Sequence, residues 1–263
     1  MKASMLAVLW LLLMHAAFAG APPPTDLLAR AGIQQHLGAQ LPVQMHFVDA
    51  DGTQATLAQW MDGRPTILML GYFDCPNLCG VTQQAMAHAL ALGKLQAGKD
   101  VSVIFLSIDP RESADDARQA QRHLLQSNYA GNAGAWHFLM GSDASIHAVA
   151  AAVGERYDYD DTIKQYMHPA GAMIVRPDGV VNQYLMGVSF VPRTVRLAVV
   201  AASHGTLGNL VDQLVLLCCG YDPTTGRYTL TIVHMMQWLG VAFVSLLAVL
   251  VVLLRYGRRG ATG

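Results

Sequence analysis

Hydrophobic positions in the middle of the chain follow two alternating periods. Short apolar runs are typical of strands, whereas apolar residues spaced three or four apart are typical of helices. The first pattern predicts strands at 43–48, 66–73, 101–108, 136–140, 172–176 and 180–185. The second predicts helices at 80–95, 113–126, 142–153 and 191–204. Strands and helices therefore alternate, and the last two strands form a hairpin around Pro177-Asp178-Gly179.

This order of elements predicts an α/β sandwich with parallel central strands and an antiparallel edge. A thioredoxin-like fold has this order, so we predict a thioredoxin-like domain with a central mixed sheet over residues 41–205. In open sheets of this kind, reactive groups collect at the carboxyl ends of the strands. The loop after the apolar run 66–73 is therefore the first place to look for chemistry.

The first residues have the pattern of a secretory signal. Lys2 precedes an apolar run at 5–14, and Ala17-Phe18-Ala19 supplies small residues at the spacing that a signal peptidase needs. An uncleaved anchor is the alternative, but the run is short for a hydrocarbon core of ~30 Å at ~1.5 Å per helical residue. We predict a signal peptide at 1–19, followed by a linker with a short helix at 20–40.

A long apolar segment lies near the C-terminus. Residues 232–254 contain no acid, lysine or arginine, and an arginine-rich tail follows at 255–263. A buried core helix is the alternative, but a stretch that is apolar on every face has little to pack against there. We predict a linker at 206–231 and a transmembrane helix at 232–254. Because positive residues stay inside, the tail would be cytoplasmic and the folded domain periplasmic (extracytoplasmic).

The composition excludes two classes of protein. Hydrophobic residues make up 53% and charged residues 13% of the 263 positions, so the chain is too apolar to be disordered. Its 17 Lys+Arg and 18 Asp+Glu give a net charge of −1, and no basic run marks a nucleic-acid surface. We therefore expect no nucleic-acid partner.

Two of the four cysteines lie at the predicted strand-to-helix junction, in Asp74-Cys75-Pro76-Asn77-Leu78-Cys79-Gly80. Residues four apart at a helix start face the same way, with Cβ atoms ~5–6 Å apart, so two sulfurs can close a disulfide or grip one metal ion. A helix N-terminus also favours the thiolate, which is both nucleophile and ligand. A stabilising disulfide is the structural alternative, but so small a loop removes little entropy from the unfolded chain. Spacing and placement favour a functional pair.

Two thiolates leave a soft metal ion under-coordinated, and a neutral nitrogen ligand suits copper or zinc. Ten histidines compete for this role. Four of them lie on predicted helices or a strand, where a histidine is more often an ordinary surface or core residue. These are His88, His123, His137 and His147. His168 instead lies in a loop before the strand at 172–176, which packs against the cysteine loop in a thioredoxin-like sheet, and it is the candidate third ligand.

Three motifs in combination resemble the Sco/SenC family, copper-binding proteins of thioredoxin fold that help to assemble the copper site of cytochrome c oxidase. They are Tyr72-Phe73-Asp74-Cys75-Pro76-Asn77-Leu78-Cys79, Ser107-Ile108-Asp109-Pro110-Arg111, and His168 upstream of Arg176-Pro177-Asp178-Gly179. The resemblance covers roughly residues 41–204. It implies that Cys75, Cys79 and His168 bind copper, as Cu(I), Cu(II) or both. It also implies a membrane-anchored copper chaperone whose partner is the copper-bearing oxidase subunit.

The resemblance implies an alternative role for the same cysteine pair, as a thiol-disulfide oxidoreductase that reduces an oxidase subunit or another exported protein. In that role Cys75 would attack and Cys79 would resolve the mixed disulfide. The sequence departs from the family pattern beside the histidine, where Met167 and Pro169 replace a usual acid and serine, and Gly80 replaces a frequent proline. The missing acid removes a carboxylate that could orient the imidazole.

Two further features stay open. Cys218-Cys219 lies in the predicted linker, beyond the resemblance, and could be an auxiliary copper or thiol-exchange site or a pair of incidental thiols. The acidic stretch Asp158-Tyr159-Asp160-Asp161 is interpreted as a solvated loop.

Overall fold

The computed structural model describes residues 30–76, 79–126 and 135–203, together with Gly240, Val241, Phe243 and Ser245. Its strands are β1 (Gly32–Ile33), β2 (His46–Val48), β3 (Gln54–Thr56), β4 (Thr66–Gly71), β5 (Ser102–Ser107), β6 (Trp136–Leu139), β7 (Glu155–Arg156), β8 (Asp158–Asp160), β9 (Gln165–Met167), β10 (Gly171–Val175) and β11 (Val181–Met186). Its helices are α1 (Leu57–Met61), α2 (Cys79–Leu92), α3 (Ala114–Leu125), α4 (Asp143–Ala152) and α5 (Pro192–Ala202).

A five-stranded sheet in the order β11-β10-β4-β5-β6 forms the centre of the domain. Strands β4, β5 and β6 are parallel, whereas β10 runs antiparallel to both β4 and β11. Every residue of β4 and β5 is buried, as expected for parallel strands covered on both faces. The mixed sheet of a thioredoxin-like α/β domain, predicted from the sequence, is confirmed.

Alternate residues of β4 divide between two hydrophobic cores, one on each face of the sheet. Ile67 and Met69 face the core covered by α2, α3 and α5. Leu68 and Leu70 face the core covered by α1 and α4. The two-residue period of the strand therefore explains how one short apolar run supplies both layers of the sandwich.

Several helix starts follow from local sequence. Ser113 accepts a hydrogen bond from the backbone of Asp116, whose side chain bonds back to the Ser113 backbone, so a capping box begins α3. Ser142 caps α4 in the same way through its hydroxyl, and Pro192 begins α5. The helices predicted near these serines are confirmed, with ends within a few residues of the prediction.

The stretch before His168 differs from the prediction. His168 itself lies in a loop before β10, as predicted, whereas residues 158–161 were interpreted as a solvated loop. Instead, β8 and β9 pair antiparallel, with Asp158 opposite Met167 and Tyr159 opposite Tyr166. This β8–β9 hairpin is a small sheet separate from the central one.

The predicted transmembrane helix at 232–254 is corrected by the structure. Among the helices of the described residues the longest is α2, with 14 residues, whereas a bilayer crossing takes about 20. No helix in these parts of the chain combines the length and hydrophobicity that a crossing needs. Most of 232–254 lies outside the described residues, as do the predicted signal peptide and the Cys218-Cys219 pair.

Candidate metal centre

The candidate centre forms where β4 ends and α2 begins. Strand β4 stops at Gly71, and the residues 72–76 that follow it, here called the cysteine loop, carry Cys75. Cys79 is the first residue of α2 and is 5% exposed, within the core under that helix. Cys75 precedes the helix, is only partly buried and packs against both cores. The helix predicted from residue 80 thus begins one residue earlier, at Cys79, and both cysteines lie at the predicted strand-to-helix junction.

Gly71 makes room for Cys79. A Cβ atom at this position would lie 2.8 Å from Cζ of Phe105 and 3.2 Å from Sγ of Cys79. Both distances are shorter than ordinary van der Waals contact. A side chain at Gly71 would therefore displace the buried thiol, and the sequence analysis did not single out this glycine.

His168 joins the two cysteines because of the direction of β10. Since β10 runs antiparallel to β4, its start lies beside the end of β4. The ligand atoms of Cys75, Cys79 and His168 all lie within 4.8 Å of one another. Sγ of Cys79 is 3.6 Å from Nε2 of His168. These three side chains are referred to below as the three-donor site.

The orientation of the His168 ring is set by its other nitrogen. Nδ1 lies 2.9 Å from the carbonyl oxygen of Pro169. A carbonyl only accepts, so we assign the proton to Nδ1, which leaves the lone pair of Nε2 directed towards the Cys79 sulfur. The ring side chain is 12% exposed. This hydrogen bond therefore orients the ring so that Nε2 faces the Cys79 sulfur, where it can serve as a metal ligand.

A carboxyl group also lies near the His168 ring, although Met167 stands where the family has an acid. Oε1 of Glu155, from β7, is 4.0 Å from Nδ1 of His168. Within the described residues this oxygen has no hydrogen-bond partner. Burial raises the pKa of Glu155 well above its usual range. The sequence analysis considered only the chain neighbours of His168 and therefore missed this carboxyl group, which comes from another strand.

Contacts between aromatic rings hold the β8–β9 hairpin, which directly precedes His168, against the rest of the centre. The Tyr166 ring lies 5.0 Å from that of Tyr159 across the hairpin and 5.7 Å from that of Tyr72 in the cysteine loop. The Arg111 guanidinium lies 4.7 Å from the centre of the Tyr159 ring and makes two 2.8 Å hydrogen bonds to Asp109. These contacts connect the β8–β9 hairpin to the loop after β5.

The cysteine pair perturbs its own protonation. A hydrogen bond with Cys75, followed by burial, raises the pKa of the Cys79 thiol well above its usual range. Burial, followed by a hydrogen bond with Cys75, raises the pKa of the Tyr72 hydroxyl. Cys79 is therefore protonated at neutral pH in the reduced, metal-free protein, and a metal ion that binds both sulfurs must displace that proton.

The remaining candidate histidines lie elsewhere. The ring of His137 lies 4.9 Å from that of Trp60, and burial lowers its pKa. His147 is exposed on α4, where its ring meets that of Tyr157. Among the described residues, Cys75, Cys79 and His168 are the one group of three such side chains close enough to share a metal ion. The structure thus brings together the three residues that the sequence selected.

The fold and these donors define a class: a thioredoxin-like domain in which a Cys-x-x-x-Cys pair faces a histidine. A family model described as SCO1/SenC matches residues 34–199. The chain therefore belongs to the SCO1/SenC family, as its motifs predicted. No curated protein sequence matches the chain.

Solved structures with the same fold come from distant relatives. A protein from Aquifex aeolicus VF5, proposed to transfer electrons, is 21% identical, with 65% of this chain and 96% of that chain covered and a TM-score of 0.57. BsSco, described as a Sco family cytochrome c oxidase assembly protein with a disulfide switch, is 21% identical, with 66% and 99% covered and a TM-score of 0.51. Arabidopsis thaliana ScoI, solved with copper bound, is 21% identical, with 64% and 98% covered and a TM-score of 0.50. At this identity the similarity supports the fold.

Proposed function

We propose that this protein binds copper as cargo at the three-donor site and passes it to the copper-bearing subunit of cytochrome c oxidase. One observation carries the proposal: two sulfurs and one imidazole nitrogen converge within 4.8 Å at the end of β4. Membership of the SCO1/SenC family and the copper-bound ScoI structure support copper as the metal.

The donor set suits a metal that must be released again. Soft thiolates stabilise Cu(I), and the imidazole of His168 extends the site to Cu(II). Cys79 is buried, whereas Cys75 is only partly buried and lies beside solvent. Transfer by ligand exchange would therefore begin at Cys75, where an incoming ligand can approach.

The same proposal places the domain on the extracytoplasmic side of the membrane. Its support is the signal-like pattern at 1–19, which stays a prediction. Export would bring the site to the compartment where thiol pairs alternate between reduced and disulfide forms.

An anaerobic Cu(I) titration of the reduced full-length chain, with a competing chelator, tests the site. We expect one copper per chain, loss of tight binding in Cys75→Ser and Cys79→Ser, and clearly weaker binding in His168→Ala. His147→Ala is the matched control, since that imidazole is exposed on α4. Equal affinities of His168→Ala and the wild type would overturn the three-donor site.

Delivery is tested separately in cells. A strain carrying Cys75→Ser should assemble oxidase with an underloaded copper site, and added copper should restore part of the loading. Full loading in that strain without added copper would overturn the delivery role.

A second candidate function uses the cysteine pair without a metal. It is favoured by the different environments of the two thiols, since Cys75 is accessible and Cys79 is buried with a raised pKa. The Cys75 thiolate would attack a partner disulfide, release one partner thiol and form a mixed disulfide. Cys79 would then displace the second partner thiol, so that the partner is reduced and the pair is oxidised.

Trapping distinguishes this function from copper transfer. Cys79→Ser should accumulate the mixed disulfide, and His168→Ala should leave reduction of the partner unchanged. If disulfide reduction instead required His168, the metal-free function would be wrong.

A further inference from the structure

The two cysteines of the three-donor site are held in different ways. Cys79 is fixed by α2 and by the core, with Gly71 directly against it. Cys75 lies in the cysteine loop, outside any helix or strand. The separation of the two sulfurs therefore depends on what holds the backbone of that loop.

Glu112 holds this backbone from a neighbouring strand end. The last residues of β4 and β5, Gly71 and Ser107, lie side by side in the parallel ladder, so the loops that follow them meet. Oε1 of Glu112 accepts a 2.9 Å hydrogen bond from the backbone N–H of Asp74. The Phe73 backbone N–H donates to the same carboxyl group. Both donors belong to the two residues that directly precede Cys75.

A second anchor fixes the carboxyl group itself. Oε2 of Glu112 accepts a hydrogen bond from the hydroxyl of Ser107, which is fully buried at the end of β5. The side chain thus links the rigid central sheet to the cysteine loop. Burial raises the pKa of Glu112 to about 7, so its hydrogen bonds do not fully offset the cost of removing the charge from water.

We infer that Glu112 is a positioning residue that holds Cys75 against Cys79 through the backbone of the cysteine loop. The measurement of copper affinity rests on the proposed function. The measurement of alkylation does not, because the position of Cys75 also determines how accessible its thiol is to an alkylating reagent. Loss of the hydrogen bonds should let the loop move away from the sheet, while Cys79 stays buried in α2.

Alkylation of the reduced, metal-free full-length chain tests the positioning role of Glu112 without copper. Peptide mapping by mass spectrometry gives separate rates for Cys75 and Cys79 in the wild type, Glu112→Ala and Glu112→Gln. In Glu112→Ala we expect faster modification of Cys75 and unchanged, slow modification of Cys79. Glu112→Gln keeps an amide oxygen that can accept from the backbone of Asp74, so its rates should stay close to those of the wild type.

The two variants separate hydrogen bonding from charge and from folding. Both variants remove the negative charge. If the alkylation rate of Cys75 rose equally in both, the effect would come from charge, and the positioning role of Glu112 would be overturned. Faster modification of Cys79 as well would show a loosened fold and also overturn it. Asp115→Asn is the matched control and should change neither rate, because Asp115 is an exposed carboxyl group in the first turn of α3, close to Glu112 in the chain, and its partner is Arg118.

Copper binding gives the second readout. Partners that orient ligands typically account for about 10-fold to 100-fold in metal affinity, and we expect a loss in this range for Glu112→Ala but not for Glu112→Gln. A wild-type chain that binds no copper would overturn the proposed function, while the alkylation rates would still decide the role of Glu112. If Glu112→Ala were alkylated at the same rates as the wild type, the positioning role would be overturned even if the protein binds copper.

Discussion

Cys79 and His168 reach the same point in the molecule by different routes. Cys79 is buried in the first turn of α2 and belongs to the core on one face of the central sheet. His168 follows the β8–β9 hairpin, a two-stranded sheet of its own that is connected to the domain by stacked rings and by Arg111. The cysteine side of the centre is thus part of the core, whereas the histidine side is attached to it.

This difference indicates on which side of the centre metal binding is coupled to the stability of the fold. A change on the cysteine side should cost folding free energy and metal binding together, because the same packed atoms serve both. A change on the histidine side should cost mainly metal binding, because half-buried ring contacts contribute modestly to global stability.

The largest expected effect comes from Gly71→Ala on the cysteine side. The added methyl group meets Phe105 and Cys79 in the core, so we expect a loss of about 1–3 kcal/mol in the free energy of unfolding, together with weaker copper binding. Urea unfolding and Cu(I) titration measure the two effects. Gly80→Ala is the matched control, since nothing lies within 4 Å of its Cβ position, and alanine there should be neutral or slightly stabilising.

The histidine side is tested by Tyr166→Leu, which keeps an apolar side chain but removes the ring pairs with Tyr72 and Tyr159. We expect weaker copper binding, with a loss of only about 1 kcal/mol in the free energy of unfolding. Tyr166→Phe keeps the rings and should behave as the wild type in copper binding. If Tyr166→Leu instead unfolded the domain as strongly as Gly71→Ala, the proposed contrast between the two sides would be lost.

The smallest effect concerns Glu112, which lies on the cysteine side and is partly buried. Its pKa is raised to about 7 in the folded protein, against about 4.3 in an unfolded chain. The stability that it contributes is therefore fully present below pH ~4.3 and is lost as the pH rises through about 7. Relative to the wild type, Glu112→Gln should thus become more stable between pH 5 and pH 8, by about 1 kcal/mol after allowance for solvent screening.

Urea unfolding at pH 5 and pH 8 measures this change. Asp116→Asn is the control, because its hydrogen bonds with Ser113 lower the pKa of the native carboxyl group. Its stabilising effect is lost only as the pH falls below about 3.9, so its difference from the wild type should be the same at both pH values. An equal response of the two variants to pH would contradict the role of burial at Glu112.

Much of the cysteine side could be predicted from the sequence because its signals are local. The apolar run of β4, the capping residues of the helices and the Cys-x-x-x-Cys spacing each lie within a few neighbouring residues. The predicted thioredoxin-like sheet then placed the loop of His168 against the cysteine loop. The resemblance to the Sco/SenC family predicted the family itself.

The histidine side was harder to predict because its contacts are long-range. Strands β8 and β9 are short and half-buried throughout, so their pairing has no clear alternating pattern of apolar residues. Tyrosines at 159 and 166 on either side of a polar turn are the signal that could have indicated a hairpin. Glu155 and Glu112 act on residues that are not their neighbours in the chain, so no local pattern indicates either contact.

Cys75 contacts both hydrophobic cores, whereas Cys79 belongs to one of them and the Tyr72 ring beside His168 belongs to the other. A copper ion held by all three donors would therefore crosslink the two layers of the sandwich at the open end of the sheet. Loading would raise the free energy of unfolding by RT ln(1 + [Cu]/Kd), and release of the copper would remove this stabilisation. A copper carrier built in this way would be most rigid when loaded and easiest to degrade when empty.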